Sequence, residues 1–178
     1  MPASGNTRWG WHRLDPSWAR RVVADAGVAP GDLVVDIGAG TGAVTAPLVA
    51  AGARVIAVEL HPRRLAVLRD RFAHDDVTVV RADAADLRLP RRPFRVVASP
   101  PFAVTTQVLK RLLAPGSRLV RADLVVQRAA AHRWAAGHAP GAGRWLRDHQ
   151  LAVGRPIPRS AFAPRPPVDC ATLRITRR

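Results

Sequence analysis

The chain has 178 residues and a net charge of +15, built from 27 arginines and one lysine against 13 acidic side chains; 48% of it is hydrophobic. That hydrophobic share excludes disorder throughout, and the cationic excess calls for a polyanionic partner, nucleic acid before membrane. No apolar run approaches the about 18 residues of a membrane span, and Met1–Asn6 lacks the apolar segment of a secretion signal, so a cytoplasmic single domain is expected.

In chain order, Trp18 to Ala26 reads as a short helix closed by Gly27 and Pro30. Leu33–Asp36 is the first strand of a sheet, and Thr41 or Gly42 opens a helix to about Ala51, with Pro47 early in it, where a missing donor costs least. Arg54–Leu60 is the second strand, and Pro62 starts a helix over Arg63–Phe72. Val77–Ala82 and Phe94–Ala98 are the third and fourth strands, and Thr105 or Thr106 caps a helix through Leu113. Leu119–Val126 is the fifth strand, followed by a helix over Gln127–Ala136 and a loop over Gly137–Gly143. Two last strands lie near Leu151 and at Ala171–Thr176. Between them, prolines 156, 158, 164, 166 and 167 predict an extended loop without regular structure. Continuous apolar strands alternating with helices imply a parallel sheet covered on both faces.

The polar tips of the strands carry the chemistry. Gly38, Gly40 and Gly42 follow the first strand and let backbone approach a ligand closely. Asp36 precedes them; a carboxylate there repels a pyrophosphate and suits a cationic ligand such as S-adenosylmethionine. Glu59 ends the second strand, where a carboxylate can accept both ribose hydroxyls. Asp83 follows the third and can accept from an adenine amine. Asp36 and Asp83 are also placed to do no more than cap turns. Ser99-Pro100-Pro101-Phe102 closes the fourth strand. The Ser99 hydroxyl and the Pro100 carbonyl offer two acceptors to an exocyclic amine, and Phe102 offers a face to a base flipped from its helix; a rigid turn with a core phenylalanine is the bland alternative. Six histidines, at 12, 61, 74, 132, 138 and 149, lack metal-ligand spacing, so no metal is expected. Cys170 reads as a small residue at a strand start, with no partner for an internal disulfide. Trp9, Trp11 and Trp18 suit stacking on RNA bases or packing over the cofactor pocket equally. The arginine pairs at 20/21, 63/64, 91/92 and 177/178 are candidate phosphate contacts.

From about Trp9 to Arg178 the chain resembles the rRNA adenine N6-methyltransferases, and within them the erythromycin-resistance (Erm) type. The resemblance rests on Asp36-Ile37-Gly38-Ala39-Gly40-Thr41-Gly42-Ala43, Ala57-Val58-Glu59-Leu60, Asp83 and Ser99–Phe102. It extends to Pro158-Arg159-Ser160-Ala161-Phe162-Ala163-Pro164-Arg165-Pro166-Pro167-Val168-Asp169, which is similar to the family's P-R-x-x-F-x-P-x-P-x-V-D loop. The resemblance implies a Rossmann-like class I methyltransferase of α/β class, with a mostly parallel seven-stranded sheet and helices on both faces. Residues 1–30 would cover the cofactor and 31–178 form the catalytic domain, without the helical C-terminal domain of typical members. It implies S-adenosyl-L-methionine held by His12, Leu14, Asp36, Gly38, Gly40, Glu59, Leu60, Asp83, Ala84 and Ser99. Ser99, Pro100 and Phe102 would be catalytic, with Phe102 and Phe162 on the target adenine. Gly10-Trp11-His12-Arg13-Leu14 stands for the family's G-Q-N-F-L, and Ser99 for its usual Asn.

The implied reaction is N6-methylation of an adenine in large-subunit (23S) rRNA by a monomer, with macrolide, lincosamide and streptogramin resistance as its consequence. Alternatives are the small-subunit rRNA adenine dimethyltransferase, a DNA amino methyltransferase, disfavoured by the lack of a target-recognition insert, and a non-catalytic nucleic-acid binder that retains the fold.

Overall fold

Apolar β-branched runs pair side by side at the centre of the molecule. A computed structural model describes residues 11–178. Its strands β2 (Leu33–Ile37), β3 (Arg54–Glu59), β4 (Val77–Arg81), β5 (Phe94–Ala98) and β6 (Leu119–Gln127) lie parallel. They are joined by β7 (His149–Ile157) and β9 (Cys170–Arg177) in the order β4-β3-β2-β5-β6-β9-β7, with β9 antiparallel to both of its neighbours. This is the expected mostly parallel seven-stranded sheet.

Helices α1 (Pro16–Ala26), α2 (Thr45–Ala50) and α3 (Pro62–Arg71) cover one face, where Val22, Leu48 and Leu68 pack with Val34, Val55 and Ala57. On the other face lie α4 (Thr105–Leu112), α5 (Arg128–Ala135) and α6 (Ala142–Trp145); Leu112, Trp134 and Trp145 pack with Val96, Leu124 and Leu173. Successive residues of a strand point to opposite faces, so Val34 and Val35 serve the two cores in turn. Among the described residues no helix is long and apolar enough to cross a membrane, and no group of three His, Cys, Asp or Glu side chains is placed to hold a metal.

The structure departs from the sequence expectations at five places. Neither Thr105 nor Thr106 caps α4: the helix begins at Thr105 itself, whose hydroxyl donates to the Phe102 carbonyl at 3.0 Å. The helix after the glycine turn begins at Thr45, because residues 38–44 are consumed by a turn in which Gly38, Gly40 and Gly42 all have positive φ. The first helix begins two residues early: the Asp15 side chain accepts from the Ser17 N–H at 2.8 Å, and Pro16 takes the first turn. Helix α6 begins inside the expected loop 137–143. The proline-rich segment is not structureless. Pro156 sits inside β7 beside a register shift on the sheet edge, where a missing donor is tolerated. Farther along, β8 (Phe162–Ala163) pairs antiparallel with β1 (Arg13–Leu14), a strand with no local signal. This two-stranded ribbon carries the chain's N-terminal side to the edge of the site.

Candidate active site

The tips of β2, β3, β4 and β5 end on one side of the sheet, which brings Asp36, Glu59, Asp83 and Ser99 to one rim. The glycine turn is tied to β3 by the N–H groups of Gly38 and Ala39, both donating to the Val58 carbonyl at 2.9 Å. Gly38 has φ +73°, and a β-carbon on it would lie 2.8 Å from Cδ of Pro101. The glycine turn and the Ser99–Phe102 turn therefore interlock, and only glycine fits between them.

Asp36 is 1% exposed; its Oδ2 accepts from the Thr45 hydroxyl at 2.7 Å, while Oδ1 is buried without a hydrogen-bond partner. Burial, reinforced by the nearby Glu59 charge, raises its carboxyl to about 7 despite the Thr45 hydrogen bond. Glu59 is buried too. It accepts from the Gly40 N–H at 2.9 Å and the His61 N–H at 2.8 Å, with Arg64 Nε 3.6 Å away. Besides the ribose-binding position expected for it, Glu59 thus clamps the glycine turn onto β3. Asp83 is exposed and its Oδ1 caps a short 3₁₀ turn through the Ala85 N–H at 2.8 Å.

A small cavity lies at the centre of the rim, walled by Asp36, Gly38, Ala39 and Ser99 and by Trp11, His12 and Leu14. Its placement brings together six of the residues singled out above: His12, Leu14, Asp36, Gly38 and Ser99 on the cofactor side, with Trp11 as a wall. Leu60 is half-buried past the tip of β3, and Ala84 is buried in the main core; neither lines that cavity. The Trp11 indole packs on the glycine turn, where a β-carbon on Gly40 would meet its Nε1 at 2.7 Å, and the Arg64 guanidinium stacks 4.8 Å from its ring. Trp11 packs over the turn, then, while Trp18 carries Arg21 on its ring and packs on the α1 core; Trp9 lies outside the described residues.

On the target side, Pro100 is buried and Phe102 half-buried. The Phe102 ring stacks on His12 with centroids 5.5 Å apart, and Phe162 meets its edge at 6.5 Å. His12 Nδ1 donates to the Pro164 carbonyl at 2.8 Å, which fixes the imidazole against Phe102. Phe162 is 4% exposed, so it supports Phe102 from behind as part of the core. No hydrogen bond among the described residues engages the Ser99 hydroxyl. Cys170 starts β9 as expected, and burial pushes its thiol up to about 12, which makes it inert.

Sequence reasoning missed Thr45, and it took Arg64 for a candidate phosphate contact, whereas its side chain is largely buried between Glu59 and the Trp11 ring. Both lie in first turns of helices behind the site, and each addresses a carboxylate that the strand pattern did identify.

The family profile described as ribosomal RNA adenine dimethylase matches residues 4–178. An rRNA adenine N-6-methyltransferase of Bacillus licheniformis is 31% identical over 161 residues, covering 88% of this chain and 56% of that protein. Ribosomal RNA small subunit methyltransferase A of Moorella thermoacetica is 34% identical over 186 residues, covering 93% and 64%. The chain therefore spans less than two thirds of the length of these curated relatives. The crystal structure of the 23S rRNA methyltransferase ErmE superposes with a TM-score of 0.84 at 25% identity, over 94% of this chain and 70% of that one. With its sheet order, strand-tip acids and glycine turn in place, the chain belongs to the ribosomal RNA adenine dimethylase family of S-adenosylmethionine-dependent methyltransferases.

Proposed function

We propose that the protein methylates N6 of an adenine in large-subunit rRNA and so confers resistance to macrolides, lincosamides and streptogramins. The observation that carries this reading is the interlock of Gly38 with Pro101, which holds a cofactor turn and an amine-binding turn in one rigid unit. The choice of large-subunit rRNA rests on the likeness to ErmE.

The residues fit S-adenosylmethionine. The partnerless Oδ1 of Asp36, buried beside Gly38, suits a cationic group such as its ammonium. Glu59 keeps lone pairs free for ribose hydroxyls beyond the two backbone N–H groups it accepts. Asp83, exposed at the β4 tip, is an acceptor for the adenine amine. When bound, the cofactor supplies an electrophilic methyl group. The chain's own residues prepare the nucleophile. The Ser99 hydroxyl and the Pro100 carbonyl accept the two N–H bonds of the exocyclic amine and draw its lone pair out of conjugation with the ring. Phe102 holds the flipped base by stacking, which requires His12 to leave that face or to hold the base edge-on. The prolines fix the direction of the carbonyl, so little reorganisation remains for the reacting complex.

Incubation with labelled cofactor and separated 23S and 16S rRNA tests the proposal. Label in 23S RNA, mapped to N6 of adenine, is the expected result. Label in 16S alone moves the protein to the small-subunit reading, favoured by relatives such as that of Moorella. Cofactor binding without transfer to any RNA or to DNA leaves the non-catalytic binder.

A further inference from the structure

A second cavity, of about 280 Å³, opens beside the reaction cavity between β1, α1 and α2. The two share Arg13, Leu14, Thr41 and Ala43 as a common wall. Three exposed arginines converge on this second cavity, Arg13 from β1, Arg20 from α1 and Arg71 from the end of α3, and no carboxylate lines it. Among the described residues none of the three is in an ion pair with a carboxylate. Arg71 is fixed in place, donating to the Thr41 carbonyl at 2.9 Å with its guanidinium 5.1 Å from the Phe72 ring. Arg20 acts electrostatically on Asp15, whose carboxylate is already held by Ser17.

The geometry points to a phosphodiester-binding subsite that grips the RNA strand next to the base being methylated. Resting on the proposed rRNA methylation, it adds the group that would fix the strand's register. His12, which covers the Phe102 face, and Arg13, which lines the cationic cavity, are consecutive, and a strand advances only about 3.3 Å per residue. Because the two cavities share a wall, a backbone phosphate beside a base held against Phe102 is assigned to the cavity lined by Arg13, Arg20 and Arg71. Guanidinium groups hold phosphate oxygens in forked geometry, and such contacts set orientation while carrying no sequence information.

The experiment is a neutralisation scan. Fluorescence anisotropy is measured on a labelled rRNA hairpin and on a set of the same hairpins, each with one uncharged methylphosphonate linkage. In the wild-type protein, neutralising one or two linkages beside the modified adenine is expected to weaken binding about tenfold, the loss of one charge-assisted contact. Arg20→Ala is expected to weaken binding to the native hairpin by a similar factor, and to lose nothing more when those linkages are neutralised. Its affinity for S-adenosylmethionine should equal that of the wild type, which checks that the site is folded. An Arg20→Ala protein that stays as sensitive to those linkages as the wild type overturns the subsite. So does displacement by inorganic phosphate, at constant ionic strength, with no linkage mattering, since the cavity then takes a free anion only. Methyl transfer is read separately in the same samples, so failure of the functional reading shows as absent label whatever the scan gives.

Discussion

At the scale of single residues the site is over-determined around Gly38. Its left-handed backbone alone costs a substituted side chain about 1–3 kcal/mol, and the 2.8 Å approach to the Pro101 ring adds a clash that a rigid ring cannot relieve. Gly38→Ala is expected to lower the melting temperature and to reduce methyl transfer far more than the lost stability explains. Equal activity in the two proteins at saturating cofactor would remove the interlock from the mechanism. Asp36 makes a second prediction. Its carboxyl is raised to about 7, above the about 3.8–3.9 of an unfolded aspartate, so the folded state keeps the proton over that window and stability falls as pH rises from about 4 to 7. A cation beside Oδ1 favours the ionised form. Cofactor should therefore bind more tightly at pH 8 than at pH 6, with proton release below pH 7 seen in calorimetry in buffers of different ionisation enthalpy. Asp36→Asn should bind more weakly and lose that buffer dependence; a variant with the wild-type pH profile would contradict it. A third prediction concerns Ser99, whose hydroxyl reaches less far than the carboxamide usual in the family. It should hold an already methylated amine poorly, so that monomethyladenosine dominates at low conversion, as judged by mass spectrometry of digested RNA. Dimethyladenosine as the early product would show that Ser99 suffices for both steps.

At the scale of elements, the parallel part of the sheet was readable because its strands are largely apolar runs and the tips of β2, β3 and β4 carry a glycine turn or an acid. The glycine turn, Glu59 and the Ser99–Phe102 turn could be placed for the same reason, since strand ends of a parallel sheet share a rim. What could not be read was long-range pairing. The β1–β8 ribbon joins two-residue segments too short for any periodicity, and Pro156 in β7 depends on lying at a sheet edge, a fact of assembly that the local sequence does not contain. Nor could the cross-chain ion pairs be foreseen. Arg155 of β7 grips the Asp25 carboxylate of α1 through Nε at 2.5 Å and an Nη at 2.9 Å, while Arg121 and Arg174 converge on the buried Asp123. The hydrogen bond from Arg155, and then the charges around it, hold Asp25 below the usual aspartate range. A depressed carboxyl stabilises the fold above its unfolded pKa of about 3.9 and loses that contribution as pH falls through the folded value. Asp25→Asn should therefore destabilise the protein at pH 7 and make its acid unfolding limb, below about pH 4, shallower than that of the wild type in urea titrations. Parallel curves for the two proteins would mean that the pair contributes nothing.

At the scale of the whole molecule, charge is spread widely. Besides the arginine cavity at the site, Lys110, Arg144, Arg147 and Arg177 line a separate cleft, formed by the end of α4, α6 and the end of β9, with Asp148 as its acid. RNA binding should accordingly weaken steeply with salt, each phosphate contact adding about 0.7 to the log–log slope on single strands and about 0.9 on duplex. The slope should grow with RNA length, as longer strands reach more of this surface. A flat salt series would show that shape and base contacts, rather than the +15 charge, govern recognition.

The ribbon that rims the reaction cavity also imposes an order of assembly. All four strand tips belong to residues 33–102, a continuous stretch that is made before β8. The rim is different: the His12 imidazole is anchored by Pro164, 152 residues away, and β1 has no strand partner until β8 has been made. A growing chain thus presents its cofactor turn long before it owns a walled chamber, and the chamber must wait until the segment through Pro164 has been translated. Synthesis itself acts as the safety catch.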